Sequence, residues 1–200
     1  MSASASEPSS RAAASKTAVE PPRAPHYVGV PQLLESNAMI DRVVAGLEVS
    51  TSEGERWTWE QLSGGLPVVM VFVKRGCPCS MEFEPHFHEV ERAYQGRVRL
   101  VDVIDADQTE ARRYAARQNV PYPVLADPDL QIIQRFGAKN GAYVALLSPD
   151  GHVVGFWPGS SKDAMRDLGS RVAEVTGSAE QSLDVTQLPA AMTSGCSFTK

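Results

Sequence analysis

Residues 67–85 read Pro67-Val-Val-Met-Val-Phe-Val-Lys-Arg-Gly-Cys-Pro-Cys-Ser-Met-Glu-Phe-Glu-Pro85 (PVVMVFVKRGCPCSMEFEP), and the order of residue types in them decides the fold. The first half, from Pro67 to Lys74, is a short continuous apolar run, the pattern of a strand buried on both faces in the centre of a sheet. The second half opens a helix, with Phe83, Phe87, Val90 and Tyr94 recurring at spacings of four, three and four. Two of the chain's three cysteines, Cys77 and Cys79, fall between, at the carboxyl end of the strand where the helix begins. Two residues so close in sequence close almost no loop, so a structural disulfide would remove little entropy from the unfolded chain. The pair is left to be explained by chemistry, by a metal or by chance.

Outward from this stretch the chain continues to alternate. Arg99–Ile104 reads as a strand and Thr109–Gln118 as a helix. Ala142–Leu147 and Val153–Trp157 read as two strands joined by a turn at Ser148-Pro-Asp-Gly151, followed by a helix from about Ser161 to Val175. A β-α-β unit followed by β-β-α predicts an α/β fold, with a central mixed sheet flanked by helices on both faces. Before it, the apolar positions Leu33, Leu34, Met39, Ile40, Val43 and Val44 predict a helix or helical turns between Pro31 and Leu47. Residues 1–25, rich in Ser, Ala and Pro, are expected to be a disordered tail. The folded domain is expected over 26–178, and 179–200 as a flexible C-terminal tail carrying the third cysteine, Cys196.

Composition narrows the functions. Two hundred residues, 42% of them hydrophobic, can bury a core without disulfide staples. A net charge of −5 without a basic run gives no electrostatic reason to expect nucleic acid or an anionic membrane as a partner. The longest apolar run is far short of a membrane span, and the opening residues lack the apolar stretch of a secretory signal. The expected compartment is the cytoplasm, where thiols stay mostly reduced.

At the helix start, Cys77 can serve as N-cap and Pro78 as the first helical residue, where its missing N–H costs nothing. Free amides and the helix dipole then favour thiolate over thiol, and Lys74 and Arg75 add positive charge nearby, with Arg75 the candidate to stabilise the thiolate. A reactive Cys77 follows if its sulfur is exposed. Cα atoms two residues apart lie roughly 5.5–7 Å from each other, near the upper limit for a disulfide, so a Cys77–Cys79 bond would be strained and easily reduced. Cys79 is the nearest resolving thiol. Cys196, on its mobile tail, is a second, within one chain or across a homodimer. As metal ligands, Met81, His86 and His88 fit poorly with Cys77 and Cys79. On an unbroken helix His86 would lie about 13 Å from Cys77, so no metal site is expected there and the imidazoles read as surface groups. Asp102, Asp105 and Asp107, near a strand end, are assigned to capping.

Taken together, the strand PVVMVFV, the Cys-Pro at the helix start, Pro85 inside that helix, YPVLADPD at 122–129 and ALLSPDG at 145–151 resemble the thioredoxin-like superfamily. Within it, residues 40–176 are similar to the redoxin branch of alkyl hydroperoxide reductase/thiol-specific antioxidant (AhpC/TSA) type. The resemblance implies a thioredoxin-like fold, a thiol nucleophile at the first cysteine position and a part in cell redox homeostasis. No organic cofactor is implied: electrons would pass by exchange with a thioredoxin-type reductant, against a small disulfide or peroxide substrate. A helix-kinking proline commonly lies eight positions after that nucleophile in such proteins, and Pro85 lies eight after Cys77. The same register puts Ser80 at the second position of C-x-x-C. A gapped alternative matches Pro78-Cys79 to the family's Pro-Cys and leaves Gly76 at the nucleophile position. Peroxiredoxins carry P-x-x-x-T-x-x-C, and this chain has Met70 and Lys74 at the proline and threonine. Val71 stands where thioredoxins place a buried aspartate, and Ala142 where they place a cis-proline. The functional expectation is a thiol–disulfide oxidoreductase or peroxiredoxin-like protein. The alternative is a non-enzymatic thioredoxin-like module for partner binding or copper or zinc handling.

Overall fold

The computed structural model describes residues 25–44 and 46–199, so the expected N-terminal tail lies almost wholly outside the described residues. In chain order the elements are β1 (His26–Tyr27), α1 (Val30–Asn37), β2 (Val49–Ser50), β3 (Arg56–Trp57), α2 (Trp59–Ser63), β4 (Val68–Val73), α3 (Pro78–Ala93) and β5 (Arg99–Ile104). Then follow α4 (Gln108–Gln118), β6 (Val124–Ala126), α5 (Gln131–Arg135), β7 (Tyr143–Leu147), β8 (Val153–Trp157), α6 (Lys162–Thr176) and β9 (Thr193–Ser194).

A five-stranded sheet in the order β6-β5-β4-β7-β8 forms the centre. The apolar run of β4 is its middle strand, and all six of its residues are buried, as a strand covered on both faces requires. It pairs in parallel with β5 (Val71 opposite Asp102) and antiparallel with β7 (Val71 opposite Val144), while β6 joins β5 in parallel and β8 joins β7 antiparallel. The mixed sheet is therefore as the order of elements predicts.

Alternation along β4 sends Val69, Val71 and Val73 to one core, packed on Phe83, Phe87 and Val90 of α3 and on Leu168 and Val172 of α6. Val68, Met70 and Phe72 face the second core, with Leu62 of α2, Ile132 and Ile133 of α5, and Phe136. Helices cover both faces. The hairpin turn forms as expected, with Gly151 in the left-handed region at φ 86° and its N–H donating to the Ser148 carbonyl at 2.9 Å.

Four expectations change. Of the helix or helical turns predicted between Pro31 and Leu47, the helix runs only to Asn37 and turns only to Asp41, because the following backbone pairs elsewhere. Asp41 sits at φ 68° with its N–H on the Val153 carbonyl (2.9 Å), and the Val44 N–H donates to Gly151. Ala142 does not begin β7: it takes φ 63°, a strained conformation for a residue with a Cβ, and its N–H donates to the Phe72 carbonyl at 2.7 Å. Asp102 caps nothing; it sits inside β5, fully buried, on the same face as Leu100 and Ile104. The segment expected to be a flexible tail lies against the domain. Leu188 and Phe198 are buried in the first and second cores respectively, and β9 pairs antiparallel with β1 through His26–Ser194 and Tyr27–Thr193. Among the described residues, no helix is long and apolar enough to cross a membrane.

Candidate active site

Cys77 holds the N-cap position of α3 with extended backbone (φ −81°, ψ 118°), and Pro78 is the first helical residue. Gly76, at φ 71°, supplies the left-handed turn between β4 and the helix, a conformation without steric cost only for glycine. Where exposure was the condition for reactivity, the Cys77 residue is only 2% exposed. Its cover comes from the far end of the chain. The Cys196 N–H donates to Cys77 Sγ at 3.1 Å, the Gly141 N–H donates to the Cys196 carbonyl at 2.9 Å, and the Gly195 N–H donates to the Gly141 carbonyl at 2.7 Å.

Opposing effects act on the Cys77 thiol. Burial pushes it up, while the N–H and thiol of Cys196 and the N–H and hydroxyl of Ser80 favour the anion and outweigh burial, leaving the group below its ordinary value. The sulfur makes no full capping bond to the first turn of α3, so the strongest donor is the Cys196 amide rather than the helix end. Cys79 moves the other way: burial first, then the charge of Cys77, raises it. None of the three cysteines is in a disulfide, with Cys77 buried and Cys79 and Cys196 half-buried.

Arg75 is exposed and meets the site through its backbone, its N–H donating to Asp105 Oδ1 at 2.5 Å. The cation beside that carboxylate is Lys74, whose ammonium pairs with Asp105. Ser80 accepts from the Lys74 N–H at 3.3 Å, tying the end of β4 to the first turn of α3. Asp107 does cap α4, accepting from the Glu110 N–H at 2.9 Å. The structure thus brings Cys77, Cys79 and Cys196 together and leaves the Arg75 guanidinium outside.

Beneath this layer lies a buried polar group that the sequence reading missed. Glu84, in α3, is fully buried and accepts from the hydroxyls of Tyr114 (2.7 Å) and Tyr122 (2.6 Å), with His88 Nε2 at 3.2 Å. His88 also packs edge-on to Tyr122, so it is not the plain surface imidazole expected. Asp102 shares the face of β5 below α3, and neither of its oxygens has a hydrogen-bond partner among the described residues. Burial, then the nearby Glu84, holds its carboxyl well above the usual range and so favours the neutral acid. The available signal was a charged residue on the inward face of a buried strand, between Leu100 and Ile104.

Among the described residues, no group of three or more His, Cys, Asp or Glu side chains converges as metal ligands. A cleft of about 690 Å³ lined by Glu48, Arg56, Asp107, Asp127 and Asp129 lies apart from the thiols, none of which lines it.

Solved structures share this architecture. The peroxidoxin BcpB of Mycobacterium tuberculosis is similar over 70% of this chain and 96% of its own, at a TM-score of 0.58 and 19% identity. DsbF of M. tuberculosis, solved in mixed oxidised and reduced forms, is similar over 65% of this chain and 95% of its own, at a TM-score of 0.56 and 23% identity. A putative thiol:disulfide interchange protein DsbE from Chlorobium tepidum covers 69% of this chain and 98% of its own, at a TM-score of 0.62 and 18% identity. At these identities the likeness shows the thioredoxin-like fold. No curated protein matches the chain significantly. The AhpC/TSA family model matches residues 40–168, the segment that carries the central sheet, Cys77 and Cys79, and the chain belongs to the AhpC/TSA family of redox proteins.

Proposed function

We propose that this protein is a thiol–disulfide oxidoreductase in which Cys77 is the nucleophile and Cys196 the resolving thiol. The observation that carries the reading is the Cys196 amide donating to Cys77 Sγ, which favours the thiolate and holds a second cysteine beside it. Cys79, the nearer residue in sequence, is the weaker resolver because its raised pKa leaves it protonated at neutral pH.

Disulfide exchange is preferred to peroxide reduction. A peroxide needs a donor to polarise its O–O bond. At the two family positions for that task Met70 is buried in the second core and Lys74 is engaged with Asp105. The redox partner is a small disulfide on the oxidising side and a thioredoxin-type dithiol on the reducing side; Arg75 contributes through its main chain. A stopped-flow comparison of hydrogen peroxide with a small disulfide tests this. The disulfide oxidises Cys77 faster, and Cys77→Ser abolishes the reaction. Fast, saturable peroxide turnover with a dithiol donor would make the protein a peroxidase instead.

A further inference from the structure

The stretch from Pro189 to Phe198 crosses the cysteine face as a strap, held by main-chain bonds along its length and by the buried Phe198 ring at its end. Thr193 and Ser160 exchange both of theirs (3.0 and 2.8 Å), Val28 donates to the Met192 carbonyl (3.0 Å), and the Phe198 N–H donates to the Lys139 carbonyl (2.9 Å). Between these anchors, Gly195 and Cys196 occupy the N–H and C=O of Gly141, on the chain that leads into β7. The approach is close: a Cβ on Gly195 would lie 3.0 Å from the Gly141 carbonyl carbon and oxygen. Asn140 Nδ2 adds bonds to Ser194 Oγ (3.1 Å) and the Gly195 carbonyl (3.0 Å).

Main-chain pairing of this kind does not read side chains. The Gly141 edge offers the same main-chain N–H and C=O to an extended chain that brings a cysteine, preceded by a small residue, to Cys77, and here it is already taken by residues 195–196 of the same chain. We infer that the strap is a resident occupant of the docking edge, so that the protein selects compact disulfides and excludes those carried on extended polypeptides. The inference rests on the reading of Cys77 as the exchange nucleophile. To reach Cys77, a compact disulfide requires a transient opening of the strap at Gly195–Cys196 but no bonds of its own to the Gly141 edge. A polypeptide must also clear the Gly141 edge, against a competitor tethered at high effective concentration and anchored on either side.

The exchange balances as follows. The Cys77 thiolate attacks one sulfur of R–S–S–R, forming Cys77–S–S–R and releasing R–S⁻. Cys196, after losing its proton to solvent, attacks the Cys77 sulfur and releases the second R–S⁻. Two cysteine thiols are oxidised and one disulfide is reduced to two thiols.

The test compares oxidation of the full chain by bis(hydroxyethyl) disulfide and by a disulfide-linked dimer of an unstructured peptide, in the wild type, Gly195→Val and Thr193→Pro. The valine is pressed against the Gly141 backbone and the proline removes the N–H given to Ser160, while both variants retain all three cysteines. The wild type should favour the compact reagent by about tenfold or more, and each variant should narrow that ratio by raising the peptide rate, in proportion to the fraction of open strap. Hydrogen exchange at the Gly141 N–H, read in the same variants, should accelerate in parallel. A wild type that takes both reagents equally, or a ratio unchanged in variants whose Gly141 amide exchanges faster, overturns the inference. A Cys77→Ser chain that consumes the compact disulfide at the wild-type rate overturns the underlying reading instead.

Discussion

At the scale of single residues, the site depends on which groups donate to one sulfur. Ser80 supplies both an N–H and a hydroxyl toward Cys77 and braces Lys74. Ser80→Ala should therefore raise the Cys77 pKa and slow its exchange at neutral pH, with Cys79 little changed, as ultraviolet thiolate absorbance against pH would show. An unshifted Cys77 would assign the effect to Cys196 and the residue-80 N–H, leaving no part for the hydroxyl. Asp102 offers a prediction of the opposite sign. Its folded-state pKa lies above the unfolded value of about 3.9. The stability tied to its neutral form is complete below that value and declines as pH rises toward the folded pKa. Asp102→Asn should gain stability relative to the wild type between pH 4 and pH 8, measured by urea unfolding; a constant difference would mean that Asp102 is already ionised. The placement of Cys77 and Cys79 at the start of α3 was legible because cysteines bracketing a proline between a buried strand and a helix carry their own physical argument. Asp102 was not, since its neighbours in β5 gave no sign that Tyr114 and Tyr122, from α4 and the loop after it, would leave it unpartnered.

Among the elements, β4, α3, β5, α4, β7, β8 and α6 were legible because their buried apolar residues recur at strand or helix spacing and line one or both cores. The failures share a cause. The N-terminal helix gives way to turns after Asn37, and β1 and β9 are two residues each, defined by backbone pairing to distant segments that no local pattern announces, while β2 and β3 pair with each other in strands of two residues, too short to show a period. The strap belongs to the same class. Its polar, proline-containing sequence reads as a tail, yet Phe198 is 5% exposed in the second core with the Lys74 ammonium 6.0 Å from its ring. Phe198→Ala should cost about 3 kcal/mol of stability by denaturant titration, in the range for a buried aromatic, and should speed alkylation of Cys77. A loss below about 1 kcal/mol would mean that the strap is not part of the folded unit.

For the whole molecule, the mixed sheet and the family were legible because one central strand and the elements after it match a thioredoxin-like arrangement. The partnership of Cys77 was not, because it joins residues 119 apart in sequence. A Cys196 on a mobile tail would leave the nearby Cys79 to trap an oxidised Cys77 first. Docked as it is, Cys196 has the advantage of placement, and on the proposed reading the disulfide should close within one chain at a rate independent of protein concentration. The central claim is tested most directly by oxidising reduced protein with one equivalent of a compact disulfide, alkylating the remaining thiols and mapping the linkages by fragmentation mass spectrometry. The account predicts a monomeric Cys77–Cys196 disulfide with the alkyl label on Cys79. A label found on Cys77, with Cys79 in the disulfide, would contradict it.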